Sequence, residues 1–424
     1  MVNLLYRIIL KNCYNQKYVN IIKILISRGM HMNLIGSEKL QKMSASIFQE
    51  VADRKMAAKT KGKDVIDLSV GSPDFPPPSF VIDALVESVK DTSKYGYTLK
   101  GIAEFNEAAA YFYQQRYGVE LNPAKEILQL MGSQDGLAHL ATAIINPGEY
   151  VLVPDPGYPI YEASVNIAGG VIYPMPLLAE NKFLPNLKDI PLEILQKTKM
   201  MIISYPGNPV TALSNKDFFD EVVAFARTHN ILVVHDFAYS ELIFDNHPQI
   251  SFMSVPGAKE VGIEFNSLSK TFNMAGCRIG YVVGNEQAIK LLATFKSNID
   301  YGIFYPIQEA AVKALTSDFS YLFEQVKAYE LRRDTLIAGL EKSGWQIEKS
   351  PATMFVWARI PAGWTSRQFA FELIEQAGVA VIPGDAFGAL GEGYVRIALV
   401  QPPERLSEAA ERIQQFLADR LIEK

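Results

Sequence analysis

Short apolar runs alternate with amphipathic stretches along most of the chain. Over residues 44–61, apolar side chains recur at helical spacing with charges between them, which predicts an amphipathic helix. From residue 65 onwards, brief apolar runs bounded by Gly, Pro, Asp or Asn predict strands, and the stretches between them have helical periodicity. The predicted strands span residues 65–70, 127–131, 150–153, 200–204, 231–235 and 262–265.

The order of these elements indicates an α/β fold. Continuous apolar strands separated by helices form a mostly parallel sheet that is covered by helices on both faces. In such sheets, ligands bind at the carboxyl ends of the strands. Because each strand from residue 127 onwards is followed by unusual polar or aromatic residues, we expect one active-site edge. These residues are Ser133, Gln134, Tyr158, Asn208, Asp236, Tyr239 and the segment 267–278.

The remainder of the chain predicts a smaller α+β domain. We expect a long charged helix over residues 309–343, an antiparallel strand pair within 346–360 and 394–400, and a closing helix over 404–422. The expected organisation is an unpacked extension (1–31), an N-terminal arm with part of the small domain (32–72), a large domain (73–304) and a small domain (305–424).

Composition limits the possible functions. With 424 residues, 49% of them hydrophobic, the chain is able to bury a large core. Its formal net charge of -5 creates no positive field for nucleic acid or acidic membranes. The two cysteines, Cys13 and Cys277, suit a reducing compartment, so we expect a cytoplasmic protein. The histidines have no metal-ligand spacing, and we expect no metal site.

The first 31 residues contain basic side chains among apolar ones and no acidic residue. Charges interrupt every apolar run, which argues against a signal-peptide core and against a membrane span. Two interpretations stay open: a basic amphipathic leader, or a translation start at Met30 or Met32.

The segment 267–278 carries the chemistry most typical of one cofactor. It offers the hydroxyls of Ser267 and Ser269, the amine of Lys270 and the guanidinium of Arg278, directly after an apolar run. A phosphorylated aldehyde needs a primary amine to form an imine, and its phosphate needs hydroxyl donors and a planar cation. This set suits pyridoxal phosphate, although a lone lysine after a strand is more often a solvated charge.

Four motifs together resemble one known family. They are Ser267-Leu268-Ser269-Lys270 with Arg278, Asp236 with Tyr239, Tyr205-Pro206-Gly207-Asn208-Pro209, and Tyr394-Val395-Arg396-Ile397. Over about residues 40–420, the chain is similar to the fold-type I pyridoxal-phosphate enzymes of the class I and II aminotransferase family, near the bacterial alanine and LL-diaminopimelate aminotransferases. The resemblance implies pyridoxal 5'-phosphate as the cofactor, bound by the large domain.

The resemblance assigns the central roles to two residues. Lys270 would hold the cofactor as a Schiff base and then move the proton between the substrate α-carbon and the cofactor. Asp236 would meet the protonated pyridine nitrogen, because a buried carboxylate is costly unless it meets a cation. A helix N-cap is the structural alternative for Asp236.

Further residues would surround the cofactor. By the resemblance, Asn208 and Tyr239 donate hydrogen bonds to its phenolate oxygen, and Tyr158 stacks against the ring. Ser133 and Gln134 open a helix whose free N–H groups would meet the phosphate. Gln134 departs from the family pattern, since relatives often have lysine there. The remaining phosphate ligands would be Ser267, Ser269 and Arg278.

Three residues would contact the substrate or a second subunit. The resemblance implies that Arg396 forms a two-point fork with the substrate α-carboxylate. Gly71 would close on the same carboxylate through its backbone, with a simple turn glycine as the alternative. Tyr97 would reach the phosphate of the neighbouring subunit's cofactor, which implies a homodimer with shared active sites.

The expected function is transamination between an L-amino acid and a 2-oxo acid, with alanine or glutamate and 2-oxoglutarate or pyruvate as the expected substrates. An LL-diaminopimelate aminotransferase and a carbon–sulfur β-lyase are the alternatives, because both would use a nearly identical cofactor site. A transcription regulator with an aminotransferase-like sensor is disfavoured, since residues 1–43 are too few for a winged-helix domain.

Overall fold

A computed structural model describes residues 35–41 and 47–422 of the protein. The predicted extension over residues 1–31 lies outside the described residues. Residues 1–44 form a unit of their own, whose described part contains helix α1 (Glu38–Gln41). The Oγ of Ser37 accepts a hydrogen bond from the N–H of Leu40 at 3.3 Å, which caps this short helix.

Residues 45–424 form the second unit, which contains all the described strands. In chain order, the strands are β1 (Ile66–Asp67), β2 (Ile127–Leu130), β3 (Tyr150–Asp155), β4 (Val171–Pro176), β5 (Thr198–Ile203), β6 (Leu232–Asp236), β7 (Gly262–Ser267), β8 (Gly280–Gly284), β9 (Phe355–Arg359), β10 (Val379–Ala380), β11 (Ile382–Pro383) and β12 (Tyr394–Ala398).

The α-helices of the second unit follow the same order. They are α2 (Ile47–Thr60), α3 (Ser79–Ser88), α4 (Ala103–Tyr117), α5 (Ser133–Ile144), α6 (Ile160–Ala168), α7 (Leu192–Leu195), α8 (Lys216–His229), α9 (Ala258–Val261), α10 (Leu268–Thr271), α11 (Glu286–Lys296), α12 (Tyr305–Leu315), α13 (Ser320–Glu341), α14 (Ser366–Glu372) and α15 (Pro403–Ile422). Among the described residues, none of these helices is both long and apolar enough to cross a membrane.

The large sheet is mostly parallel, as predicted. Its strand order is β2-β8-β7-β6-β5-β3-β4, and only β8 is antiparallel to its neighbours. Strands β4 and β8 were not predicted, because two prolines interrupt β4 and glycines begin and end β8. The carboxyl ends of β2, β3, β5, β6 and β7 therefore meet at one edge of the sheet.

Alternate residues of the central strands pack against helices on opposite faces of the sheet. In β6, Val233 belongs to the core under α4, α8 and α12, whereas Val234 belongs to the core under α5, α6 and α11. Met201 and Met200 of β5 divide in the same way. Burial of each such side chain stabilises the fold by about 1.5–3 kcal/mol. The continuous apolar runs in the sequence follow from this burial on both faces.

A smaller antiparallel sheet has the order β11-β12-β9, and its register places Arg396 opposite Trp357. Helices α13 and α15 pack on it through Leu336, Leu406 and Ile413, among others. The antiparallel strand pair and the closing helix were predicted. The domain boundaries after residues 72 and 304 stay a prediction.

Two predicted elements were wrong in extent. Strand β1 spans only Ile66–Asp67 instead of residues 65–70, because the Asp67 carboxylate accepts hydrogen bonds from the N–H and hydroxyl of Ser69 and turns the chain. The single helix over residues 309–343 is two helices, α12 and α13. Phe319 between them has a φ of 61°, and Asp318 Oδ1 accepts the N–H of Ser320 at 3.0 Å.

Candidate active site

A cavity of about 640 Å³ lies at the carboxyl edge of the large sheet. It is lined by every residue predicted for the site except Tyr97. These residues are Gly71, Ser133, Gln134, Tyr158, Asn208, Asp236, Tyr239, Ser267, Ser269, Lys270, Arg278 and Arg396. The residues predicted from the strand ends therefore line one cavity although they are far apart in the sequence, and Gly71 and Arg396, expected from the resemblance, line it as well.

Lys270 lies in the short helix α10, directly after β7. Its Nζ donates a hydrogen bond to the carbonyl oxygen of Gly71 at 2.6 Å, and its own carbonyl accepts from Nε2 of Gln325 at 3.0 Å. Burial, reinforced by the positive charges of Arg396 and Arg278, lowers the pKa of Lys270 to about 8. A fraction of this amine is thus neutral and nucleophilic near neutral pH.

Asp236 is the last residue of β6 and is buried. Its Oδ2 accepts the Tyr161 hydroxyl at 2.7 Å, and its Oδ1 accepts the Ala238 N–H at 3.3 Å. Burial raises the pKa of Asp236, although the hydrogen bond from Tyr161 opposes the rise. Both of these partners in the described part of the chain are uncharged, so the carboxylate suits a cation brought by a ligand.

An anion-binding arrangement lies beside the lysine. Helix α5 begins at Ser133 after Gly132, whose φ of 80° favours glycine, and the first N–H groups of a helix have no intrahelical acceptor. The Oγ of Ser269 is buried without a hydrogen-bond partner in the described part of the chain. The guanidinium of Arg278 lines the same cavity, with Nη1 donating to the Ala275 carbonyl at 3.1 Å. This set of donors is typical of a phosphate site.

The remaining residues expected to bind the cofactor contact one another or other residues that line the cavity. The Tyr158 hydroxyl donates to Gln134 Oε1 at 3.2 Å, and burial raises the pKa of Tyr158. Tyr239 is buried and makes an edge contact with Phe355, with ring centroids 5.7 Å apart. The Ser267 hydroxyl accepts the N–H of Ser269 at 3.3 Å, so it also caps helix α10.

Arg396 is a buried cation on β12. Its Nη1 donates to Asn208 Oδ1 at 2.9 Å and its Nη2 to the Ser69 carbonyl at 2.7 Å. Its Nε has no partner among the described residues, and the guanidinium lies 4.3 Å from the ring centroid of Phe355. Burial lowers the pKa of Arg396 to about 10. A cation held without a carboxylate partner is suited to an anionic substrate group.

Gly71 permits the close approach of backbone in this region. A Cβ at Gly71 would lie 2.7 Å from the ring of Phe355, which leaves no space for a side chain. Its contact in this structure is the hydrogen bond from Lys270. A backbone contact between Gly71 and the substrate carboxylate stays a prediction.

Tyr97 lies apart from this cavity. Its side chain is 83% exposed and packs against Tyr301, with 5.1 Å between the ring centroids. Tyr301 is itself 60% exposed, so the pair buries little surface within the chain.

Sequence reasoning missed several neighbours of the site, among them Tyr161, Phe355 and Lys55. Tyr161, which donates to Asp236, follows the predicted Tyr158 at helical spacing in α6. Phe355 and Lys55 also line the cavity. Phe355 begins a predicted strand and Lys55 lies on the polar side of a predicted helix, so neither had a local signal that indicated its place.

The residues that line this cavity fit pyridoxal phosphate. The buried, unpartnered Ser269 Oγ and the start of α5 suit the phosphate, the carboxylate of Asp236 suits a protonated ring nitrogen, and the amine of Lys270 suits the aldehyde.

Comparison with known proteins agrees with this site. The family model described as "Aminotransferase class I and II" matches residues 63–413. An LL-diaminopimelate aminotransferase from Moorella thermoacetica is 44% identical, over 90% of this chain and 98% of the relative. One from Syntrophobacter fumaroxidans is also 44% identical, over 91% and 100%. The solved structure of apo-BacF from Bacillus subtilis is 38% identical with a TM-score of 0.88, over 90% of this chain and 98% of that one.

Proposed function

The chain belongs to the class I and II aminotransferases, which use pyridoxal 5'-phosphate, and from that premise we propose that it transfers an amino group from LL-diaminopimelate to a 2-oxo acid. As a member of this family it is a pyridoxal-phosphate-dependent transaminase, acting on amino acid and 2-oxo acid substrates. The placement of Lys270, Asp236 and Arg396 around one cavity supports transamination, and the names of the relatives support the choice of substrate.

The substrate proposal differs from the expectation drawn from the sequence. Alanine or glutamate was expected as the amino donor, and that expectation is unconfirmed. The relatives at 44% identity are named for LL-diaminopimelate, which supports this alternative better. This substrate is a long molecule with an amino and a carboxylate group at each end, and the cavity of about 640 Å³ lies within the usual range for a small-molecule site.

Lys270 would provide the covalent attachment and the proton transfer. When bound, pyridoxal phosphate supplies an aldehyde that condenses with amines and a ring that accepts electrons. We assign to Lys270 Nζ the bond to this group and, after release by the substrate amine, the transfer of the proton from the substrate α-carbon. A pKa of about 8 allows the amine to accept a proton near neutral pH.

Asp236 would keep the bound ring charged. Its carboxylate ends β6 in a buried place where a protonated nitrogen would be its cation partner. Asn208 and Tyr239 line the same cavity and would donate hydrogen bonds to the phenolate oxygen of the ring, and Tyr158 would pack on its face.

The phosphate and the substrate would occupy separate anion sites. We assign the phosphate to Ser133, Gln134, Ser267, Ser269 and Arg278. The substrate α-carboxylate would bind Arg396. Asn208 and Ser69 hold its two terminal nitrogens in place before the substrate arrives, and its Nε has no partner in the described part of the chain.

The test is a donor panel. Purified enzyme would be mixed with LL-diaminopimelate, alanine or glutamate without an acceptor, and the loss of the absorbance of the enzyme-bound cofactor would be followed. The proposal expects kcat/KM for LL-diaminopimelate to exceed that for alanine and glutamate by about a hundredfold, the discrimination that a few specific contacts provide. A preference for alanine or glutamate would contradict the substrate assignment.

Two controls complete this test. Lys270→Ala should abolish turnover while still binding the cofactor noncovalently, and borohydride should link the cofactor to a peptide containing residue 270 in the wild type only. Release of pyruvate and ammonia from cystathionine without a 2-oxo acid would favour the β-lyase instead.

We also propose a cytoplasmic homodimer with shared active sites. The support for the dimer is the exposed pair Tyr97 and Tyr301, since large aromatic rings at a surface are typical of interfaces. Tyr97 would then reach the phosphate bound by the second subunit.

A further inference from the structure

A tight turn follows the short strand β1. Asp67 Oδ1 accepts hydrogen bonds from the N–H of Ser69 at 3.0 Å and from its hydroxyl at 2.6 Å. Leu68, within this turn, is held by two backbone hydrogen bonds: its N–H donates to the carbonyl of Ala380, and its carbonyl accepts the N–H of Ala398. The turn therefore determines the direction in which the Ser69 carbonyl points.

Lys55 of helix α2 binds both side chains of this turn. Its Nζ lies 2.7 Å from Asp67 Oδ2 and 3.0 Å from Ser69 Oγ. The side chains of Lys55 and Asp67 are only 14% and 26% exposed, so water screens their attraction less than at an open surface. Burial raises the pKa of Asp67, but the hydrogen bonds from Lys55 and Ser69 outweigh it and lower the pKa overall.

The turn ends in direct contact with the substrate-binding cation. The Ser69 carbonyl accepts Nη2 of Arg396 at 2.7 Å, while Asn208 accepts Nη1 at 2.9 Å. The guanidinium is planar and rigid, so the two acceptors together set its orientation in the cavity. One of these acceptors depends on the turn that Lys55 and Asp67 stabilise.

We propose that Lys55 and Asp67 are positioning residues that set the affinity for the substrate α-carboxylate by holding the Ser69 carbonyl against Arg396. The inference rests on the proposed role of Arg396 and deepens it. Lys55 also lines the cavity, yet its amine is already matched by the Asp67 carboxylate. Its effect therefore extends equally to every substrate with an α-carboxylate, whatever the substrate's other end.

The test compares Lys55→Met, Asp67→Asn and Ser69→Ala with Lys59→Met, an exposed lysine one turn further along α2. KM for LL-diaminopimelate, alanine and 2-oxoglutarate should each rise by about tenfold in the first two variants, and kcat should stay within about twofold of the wild type. Ser69→Ala keeps the carbonyl and should raise KM by about threefold. Lys55→Arg should keep KM close to the wild-type value. Lys59→Met should leave both KM and kcat unchanged.

A second readout separates positioning from a general loss of structure. The inhibition constant of propionate, a simple carboxylate, should rise by the same factor as KM in Lys55→Met and Asp67→Asn. Cofactor absorbance and thermal midpoint identify any variant that has lost its fold. If Lys55→Met or Asp67→Asn has lost its fold, KM is compared between Ser69→Ala and Lys55→Arg, which disturb the turn least.

Three outcomes decide the inference. An effect on LL-diaminopimelate without one on alanine and propionate would mean that Lys55 contacts the distal end of the substrate, and the positioning role would be wrong. Unchanged KM in all turn variants, with a large effect of Arg396→Lys, would overturn this inference alone. No effect of Arg396→Lys would instead contradict the proposed role of Arg396 in substrate binding, whereas the donor panel tests the reaction itself separately.

Discussion

The hydroxyl of Tyr161 donates a hydrogen bond to Oδ2 of Asp236 at 2.7 Å, and both side chains are buried. A carboxylate in such a place is costly to charge, and the hydroxyl partly compensates for the water it has lost. Tyr161 therefore helps to keep Asp236 ionised, which is the form that a protonated ring nitrogen requires.

Removal of either group of this pair should weaken the cofactor site. We expect Asp236→Asn to lower kcat by more than about a hundredfold, because it removes the charge. Tyr161→Phe should weaken cofactor binding by about tenfold, the usual value of one hydrogen bond to a charged group. Cofactor titration by absorbance and steady-state kinetics would measure both effects. Tyr150→Phe, at the far end of β3, is the matched control and should resemble the wild type.

The lowered pKa of Lys270 predicts a pH-dependent reactivity of the cofactor-free enzyme. Modification of this lysine by trinitrobenzenesulfonate should become half-maximal near pH 8, well below the ordinary lysine value of 10.5. Peptide mapping would separate Lys270 from the exposed Lys59, which serves as an internal reference. A midpoint for Lys270 near 10.5 would contradict the burial argument.

The same pKa has a consequence for stability. Between about pH 8 and pH 10.5, the unfolded chain keeps a proton on Lys270 that the folded chain has lost. The contribution of this group to the free energy of unfolding therefore rises with pH across that window and is constant below it. Urea unfolding of cofactor-free wild type and Lys270→Met would measure this, since the variant should lack that part of the pH dependence.

Arg396→Lys should separate charge from geometry at the substrate site. The variant keeps a positive charge but loses the planar fork that Ser69 and Asn208 orient. We expect KM for amino acid and 2-oxo acid to rise by about a hundredfold, with a smaller fall in kcat. Cofactor affinity should change much less than KM, because Arg396 has no assigned contact with the cofactor and reaches it only through Asn208. Unaltered substrate KM would remove Arg396 from the proposed site.

The proposed dimer with shared active sites can be tested by mixing two variants that each lack one residue of the site. Lys270→Ala and Tyr97→Ala should each be poorly active, but hybrids formed after dissociation and reassociation would contain one site with both native residues. About a quarter of the wild-type activity should then return. If the mixture of the two variants gains no activity after subunit exchange, Tyr97 of one subunit and Lys270 of the other do not belong to one active site. Tyr173→Ala, on β4, replaces Tyr97→Ala in the control mixture.

The predictions that depended on local patterns agree best with the structure. The apolar runs at β2, β3, β5, β6 and β7 were predicted, because burial on both faces leaves a strong local signal. The start of α5 at Ser133 was expected from the family resemblance. The division of α12 from α13 was missed, since it depends on Phe319 at positive φ and on one Asp318 side-chain contact.

The sequence by itself determined which functional side chains follow the strands. It also indicated a parallel sheet, in which the carboxyl ends of the strands meet at one edge. Only the tertiary structure decided how these groups are held. The partners of Asp236 and Arg396 come from α6 and from the turn after β1, at separations of 75 and 327 residues, respectively. A hydrogen bond between positions so distant in the chain leaves no periodicity in the sequence, since it depends on the packing of whole elements against one another.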